Sequence, residues 1–176
     1  MLWRNRDYRL LISGQTIGVI GTQITTFALF LVVLNITDSP TLASTQSGLF
    51  VLSMVVFGLP IGRMVDRYPR LFILKSSAII GLGGALLCVW AASGNFPIIA
   101  FAVATILLGA ASSAFNTAER AFLKEIVDPD LLAQAMAVNQ GRYSIGVIVG
   151  PPLAGVLISH SNQAPFLVDA ASFYGF

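Results

Sequence analysis

The sequence predicts an all-α membrane bundle, and three observations support that prediction. Hydrophobic residues make up 56% of the 176-residue chain and charged residues 10%, where an ordinary soluble domain is roughly a quarter charged. The apolar residues are gathered into blocks long enough to cross a bilayer. The charges fall between those blocks, and the basic ones fall in alternate gaps. A backbone in lipid must satisfy its N–H and C=O groups within its own segment, which a helix does and an open strand does not.

The predicted spans follow in order. Residues 10–34 contain no charge, and residues 42–61 form a second uncharged block. Residues 71–93 carry only Lys75, near one end, and residues 96–118 carry none. A fifth block covers 131–159 with Arg142 as its single charge, and a sixth opens at Phe166 and runs to residue 176. Each complete block meets the roughly 20 residues that a helix rising 1.5 Å per residue needs to cross about 30 Å of hydrocarbon. Turn-forming strings separate them: "NITDSP" at 35–40, "SGNFP" at 93–97 and "HSNQAP" at 160–165. Such short links make successive helices antiparallel neighbours. The first block exceeds the apolar core of a signal peptide and lacks a small-residue cleavage site, so it is read as a retained span.

Charge sets the expected orientation. Arg4, Arg6 and Arg9 precede the first span; Arg63, Arg67, Arg70 and Lys75 surround the second connection; Arg120 and Lys124 lie in the fourth. The first, third and fifth connections have no Lys or Arg. Cytoplasmic loops carry the basic excess, so the amino terminus and the even-numbered connections are expected inside. The net charge of +2 is thereby spread along one membrane face and calls for no nucleic-acid partner. The partner that the composition demands is the lipid bilayer, with juxtamembrane lipid contacts as a further reading.

Two strings stand out from this background. In "GLPIGRMVDRYPRLFIL", residues 58–74, Gly58 and Gly62 make a small-xxx-small step that suits close helix approach. Asp66 follows one turn later, where a carboxylate would accept hydrogen bonds from a neighbouring helix N-terminus. The string is either a topology signal or an electrostatic latch formed with Arg67 and Arg70. In the fifth span Gly146, Gly150 and Ala154 recur every four residues, a smooth stripe for helix contact. Pro151 and Pro152 have no N–H to donate, and their rings crowd the carbonyls of Val147 and Ile148, so a bend or loosening is expected there.

Polar residues inside spans mark cavity candidates. Gln15, Thr22 and Thr26 share a face of the first helix, with Gln23 and Thr25 close by; they serve either a water-filled cavity or interhelical hydrogen bonds. Arg142 either snorkels to the cytoplasmic interface or lines an inner cavity with Asn139, holding anionic groups of a substrate or a coupling carboxylate. Asp169 is near the outer end of the next helix, roughly 15–20 Å from Arg142 along the membrane normal at 1.5 Å per residue. It is therefore expected to pair elsewhere or to sit wet near the outer surface. Glu119 and Arg120 either join Arg70 in the latch or form an exposed local pair. Cys88 is alone, His160 is alone, and no nucleophile–base group, phosphate loop or metal-spaced cluster occurs. The expectation is no enzyme, no metal and no cofactor.

"GRMVDRYPR" resembles the signature between helices two and three of the major facilitator superfamily, G-x-L-A-D-R-x-G-R-K, with Gly62, Asp66, Arg67 and Arg70 matching. Met64 and Val65 replace its Leu and Ala, Pro69 its second Gly, and Leu71 its last basic residue. "GVIVGPPLAG", residues 146–155, resembles the antiporter motif G-x-x-x-G-P-x-x-G-G: Gly146, Gly150, Pro151 and Gly155 match, Pro152 follows the motif proline, and Ala154 replaces one glycine. "WRNRDYRLLISGQTIGVIGTQI", "AVNQGRYSIGVIVGPPLAGVLI" and "APFLVDAASF" look like the bacterial exporter branch that includes enterobactin and macrolide efflux proteins.

The resemblance implies twelve helices in two halves, so this chain is expected to be an amino-terminal part: five complete helices and the start of a sixth. The carboxy-terminal half is its missing partner, and the part alone is expected not to transport. It further implies a multi-pass protein of the bacterial plasma membrane, secondary transport by alternating access, small amphipathic substrates such as drugs or siderophores, and the proton as coupling ion. The loop around Asp66 would be a cytoplasmic gate packing on the other half. One feature departs: many drug antiporters carry an arginine four residues before a helix-four glycine, and Thr105 stands before Gly109 here. "GLPIG" and "GPPLAG" lie in the second helix of each triplet, as an inverted repeat would place them. A non-transporting scaffold protein and an importer are the alternatives.

Overall fold

The structure is a computed structural model that describes residues 6–93 and 98–173, with side chains described from residue 16 onward except at 126. Six helices follow one another: α1 Arg6–Thr37, α2 Pro40–Arg67, α3 Arg70–Ala91, α4 Ile98–Ile126, α5 Pro129–His160 and α6 Ala164–Ser172. Among the described residues there is no strand. The first five are long and apolar enough to cross a membrane.

Proline chemistry sets most of the boundaries. Pro40 and Pro129 occupy first-turn positions, where a missing N–H costs nothing. Ser39 caps α2 by accepting a hydrogen bond from the Leu42 N–H. Tyr68 precedes Pro69 and is driven into extended geometry, φ −112° and ψ 155°, which stops α2 at Arg67. The helices overrun the apolar blocks: α2 continues past residue 61 and α4 past residue 118. Apolar composition reports hydrocarbon thickness, whereas a helix propagates through the polar interface until a residue such as Tyr68 ends it. Arg63, Arg67, Arg120 and Lys124 therefore sit on helix ends rather than in loops.

The first helix of each triplet packs against the second helix of the other, α1 on α5 and α4 on α2, and α3 lies beside α4 as α6 lies beside α1. This exchange of equivalents is what an inverted three-helix repeat produces. Small residues fill the contacts: Ala28, Ala43, Ala85, Ala104 and Ala154 are buried with Leu29, Phe50 and Phe166 in one core cluster, and close approach is what small residues permit. A second cluster, Val65, Ile73, Leu74, Ala114 and Ala118, ties α2, α3 and α4 together near the α2–α3 connection. Large apolar side chains elsewhere face outward, Leu59 at 80% and Ile148 at 72% exposure, as a lipid-facing surface requires. The most apolar windows of α2 and α5 are only 22% and 17% buried, against 39% to 44% for α1, α3 and α4. The broadest uncovered helix faces thus belong to α2 and α5.

Candidate functional site

The site is built on one stripe of α5. Ala135, Arg142, Gly146, Gly150 and Ala154 are the buried residues of that helix, so Arg142 continues the four-residue glycine stripe toward the start of α5. The stripe lies on α1. A Cβ added at Gly146 would come within 2.8 Å of Val19 Cγ1, and one at Gly150 within 2.8 Å of Gln23 Cβ and 3.1 Å of the Gln23 carbonyl carbon. At Gly150 the obstacle includes backbone, which cannot rotate away.

Close docking of α5 keeps Arg142 inside. Its guanidinium donates from Nη2 to Glu119 Oε1 on α4 and to Asn139 Oδ1 one turn back on its own helix. The side chains of the ion pair are 6% and 4% exposed. Arg142 turns inward to a partner within the bundle rather than outward along its surface. Glu119 also departs from expectation: it faces inward to Arg142 and does not join Arg70, which pairs instead with Glu125. A cavity of about 410 Å³ opens beside the pair, lined also by Val19, Met54, Asn116 and Tyr143. Arg120 lines it as well, so the wall is polar and carries one positive charge more than negative. Such a lining suits a substrate with both apolar and hydrogen-bonding parts.

The α1 candidates divide. Gln23 and Thr26 line a groove with Phe27, Phe30, Ser47 and Pro151, between α1, α2 and α5. The Thr26 hydroxyl is already committed, donating to the Thr22 carbonyl at 2.7 Å. Thr22 lines a neighbouring recess with Ser77, Asn116 and Tyr143. Gln15 lies outside the residues whose side chains are described. α5 runs unbroken through Pro151 and Pro152, and Gly155 faces open space.

The residues of the α2–α3 string lie apart from this cavity. Asp66 and Arg67 are exposed, and a Cβ at Gly62 would meet nothing within 4 Å. Among the described residues Asp66 has no hydrogen bond. Arg70 pairs with Glu125 at the end of α4, with side chains 39% and 59% exposed, a surface pair worth roughly 0–1 kcal/mol. Gly62, Asp66, Arg70 and Arg120 line an open groove near the α2–α3 connection.

Asp169 is where sequence reasoning went furthest astray. It is 1% exposed, inside the bundle rather than wet at its outer end. Its Oδ1 lies 2.8 Å from where a Cβ on Gly21 would be, and Gly21 is at the middle of α1, so α6 enters the bundle deep beside a helix that extends well beyond it. Thr105, in the place of the drug-antiporter arginine, is fully buried and supplies no charge.

A profile of the Major Facilitator Superfamily matches residues 11–174. An uncharacterised MFS-type transporter of Enterobacter sp. (strain 638) is 30% identical over 96% of this chain and 42% of its own length. Macrolide efflux protein A of Streptococcus pyogenes is 28% identical over 89% of this chain and 39% of its own. An uncharacterised MFS-type transporter of Yersinia enterocolitica is 32% identical over 69% and 30%. The chain therefore spans 42% or less of the length of these relatives. With five apolar helices of membrane-crossing length and a match over nearly its whole extent, the chain belongs to the major facilitator superfamily, whose members are multi-pass membrane transporters and not enzymes.

Proposed function

We propose that this chain is the amino-terminal part of a proton-coupled exporter of small amphipathic molecules, working by alternating access in the bacterial plasma membrane with its amino terminus in the cytoplasm. The observation that supports this most is the α1–α5 contact at Gly146 and Gly150, which holds Arg142 and Glu119 at the wall of a cavity on the cytoplasmic side. An exporter loads from that side. The likeness to a macrolide efflux protein agrees with the direction and with a substrate of mixed polarity. The carboxy-terminal half is expected to cover the open faces of α2 and α5 and to meet Asp66 and Arg67, which are exposed, and Gly62, where an added Cβ would meet nothing within 4 Å. On this reading the part alone does not complete a transport cycle.

The test is efflux from vesicles containing the complete transporter, with an amphipathic dye or a macrolide as probe. Outward movement driven by a pH gradient and abolished by a protonophore is the expected result. Absence of any gradient-dependent flux across a panel of such probes would favour a scaffold role, and inward accumulation would favour an importer.

A further inference from the structure

Among the described residues, the buried ionisable side chains other than Asp169 have an evident partner or are a thiol. Glu119 and Arg142 hold each other. Asp169 does not fit this pattern. It is 1% exposed, its Oδ1 accepts only a long contact of 3.4 Å from the Ser172 hydroxyl, and its Oδ2 is buried with no hydrogen-bond partner. The Thr25 hydroxyl faces the same carboxyl from α1, near enough to interact with it but outside good hydrogen-bond geometry.

Among the described residues no cation neutralises it. α1, α3 and α5 pack on α6, and α4 reaches it through Phe101 against Phe166; the charged residues of α4, Glu119, Arg120, Lys124 and Glu125, belong to its opposite end. From residue 16 to residue 37, α1 has no titratable side chain. α3 offers Cys88, itself buried against Asp169, while Arg70 and Lys75 belong to its opposite, cytoplasmic end. The outer half of α5 offers His160, which is exposed and bonded to the Val156 carbonyl at 2.9 Å. Arg142 is held by Glu119. An unpaired carboxylate in such a site would have to be desolvated without compensation, whereas the neutral acid both donates and accepts hydrogen bonds at much smaller cost.

We propose that Asp169 is a proton-binding site of this transporter, protonated while α6 is packed on Gly21 and Thr25 of α1, and that release of its proton accompanies separation of α6 from α1. The proposal rests on the transport reading only for its last step, where this proton is the coupling ion. The proton leaves a carboxyl oxygen for water admitted as the contact loosens, and returns from water on the other side; no bond other than O–H is made or broken. Gly21 is what makes the site responsive. Asp169 Oδ1 and Ser172 Oγ lie 2.8 and 2.7 Å from where its Cβ would be, so the two helices meet there more closely than any residue with a side chain would allow. Protonation and contact therefore exclude or favour each other together, which is the form of coupling that a two-state carrier needs.

Infrared spectroscopy of the protein in lipid bilayers tests the site itself. Between about pH 5 and about pH 9, a span that brackets strongly perturbed carboxyls, wild type should show the carbonyl stretch of a protonated carboxylic acid, falling in intensity as pH rises. Asp169→Asn should lack that component. Superimposable spectra of the two at every pH would overturn the proposal, as would an Asp169 band that never diminishes. If Asp169→Asn does not assemble, Asp169→Glu moves the group by one methylene and should shift both frequency and titration; an unchanged spectrum would again overturn it.

A second arm uses the complete transporter in vesicles. Asp169→Asn should keep exchange of labelled probe across the membrane at equilibrium and lose accumulation driven by a pH gradient. Gradient-driven efflux equal to wild type at equal abundance would remove the coupling role. A titrating Asp169 band in a protein that moves no probe in either form would leave the proton site standing and refute the exporter reading instead.

Discussion

Replacing Glu119 by Gln removes one charge from the ion pair at the cavity wall and leaves the shape of the side chain almost intact. Two charges about 4 Å apart attract by roughly 4 kcal/mol at an effective dielectric constant near 20. Most of that attraction offsets the desolvation of both groups, so the pair adds little net stability while intact. The mutant is different, because Arg142 keeps its charge, is about as buried as before and has lost its counter-ion. Breaking a buried pair from one side costs roughly 3–5 kcal/mol, and an unpaired arginine in a membrane span roughly 2.5–3.5 kcal/mol on insertion scales. A loss of about 3 kcal/mol is expected, read by reversible unfolding in mixed micelles.

Arg142→Gln should cost less than Glu119→Gln, because the carboxyl left behind can take a proton, whereas a guanidinium cannot shed one. The double variant should be more stable than the sum of the singles, by a coupling of roughly 2 kcal/mol, within the range found for directly interacting residues. Arg70→Gln, which breaks the exposed pair with Glu125, is the control and should lie within roughly 1 kcal/mol of wild type. If Glu119→Gln proves no more costly than Arg70→Gln, and the double variant is simply additive, the pair is effectively solvated and the enclosed cavity wall is refuted.

Three further outcomes are expected. Gly150→Leu drives a branched side chain into the Gln23 backbone, overpacking that typically costs roughly 1–3 kcal/mol; it should reach the membrane but lose efflux in the complete transporter, while Leu153→Ile, on the half-exposed side of α5, stays active, and normal pumping by Gly150→Leu would mean the stripe is only tolerated. Asp66→Asn should leave the unfolding free energy within roughly 0.5 kcal/mol of wild type, since Asp66 is exposed and has no bond among the described residues, yet lower transport more than Arg63→Gln; equal transport by both would remove the gate. Single cysteines at Tyr68 and Thr41, both exposed, in a Cys88→Ala background should be labelled by an impermeant reagent in intact cells only at Thr41, and labelling only at Tyr68 would invert the topology.

The sequence alone determined the helical class, the number of complete spans and their order, because bilayer crossing is a matter of run length and composition and neither depends on which helices touch. It also marked the Gly146–Gly150–Ala154 stripe, since a four-residue period is local to one helix. The helix ends were partly legible: the expected starts at 42 and 131 fall two residues after Pro40 and Pro129, but continuation of α2 to Arg67 and α4 to Ile126 could not be read, because hydropathy falls at the membrane interface while backbone hydrogen bonding does not.

Partner choice among charges was decided only by tertiary structure. Arg142 was singled out from its span, but Glu119 was assigned to a surface network, because nothing in one helix says toward which neighbour its acidic residue is turned; that follows from how α4 and α5 are rotated about their axes. Asp169 shows the same limit in depth. Counted from the start of α6 it belongs near the outer surface, yet α6 docks beside the middle of the longer α1, so contact with Gly21 and Thr25 buries it. Residue counting gives position along one axis, and burial depends on the relative heights of several axes, which small-residue packing at Gly21, Gly146 and Gly150 fixes only once the helices have come together.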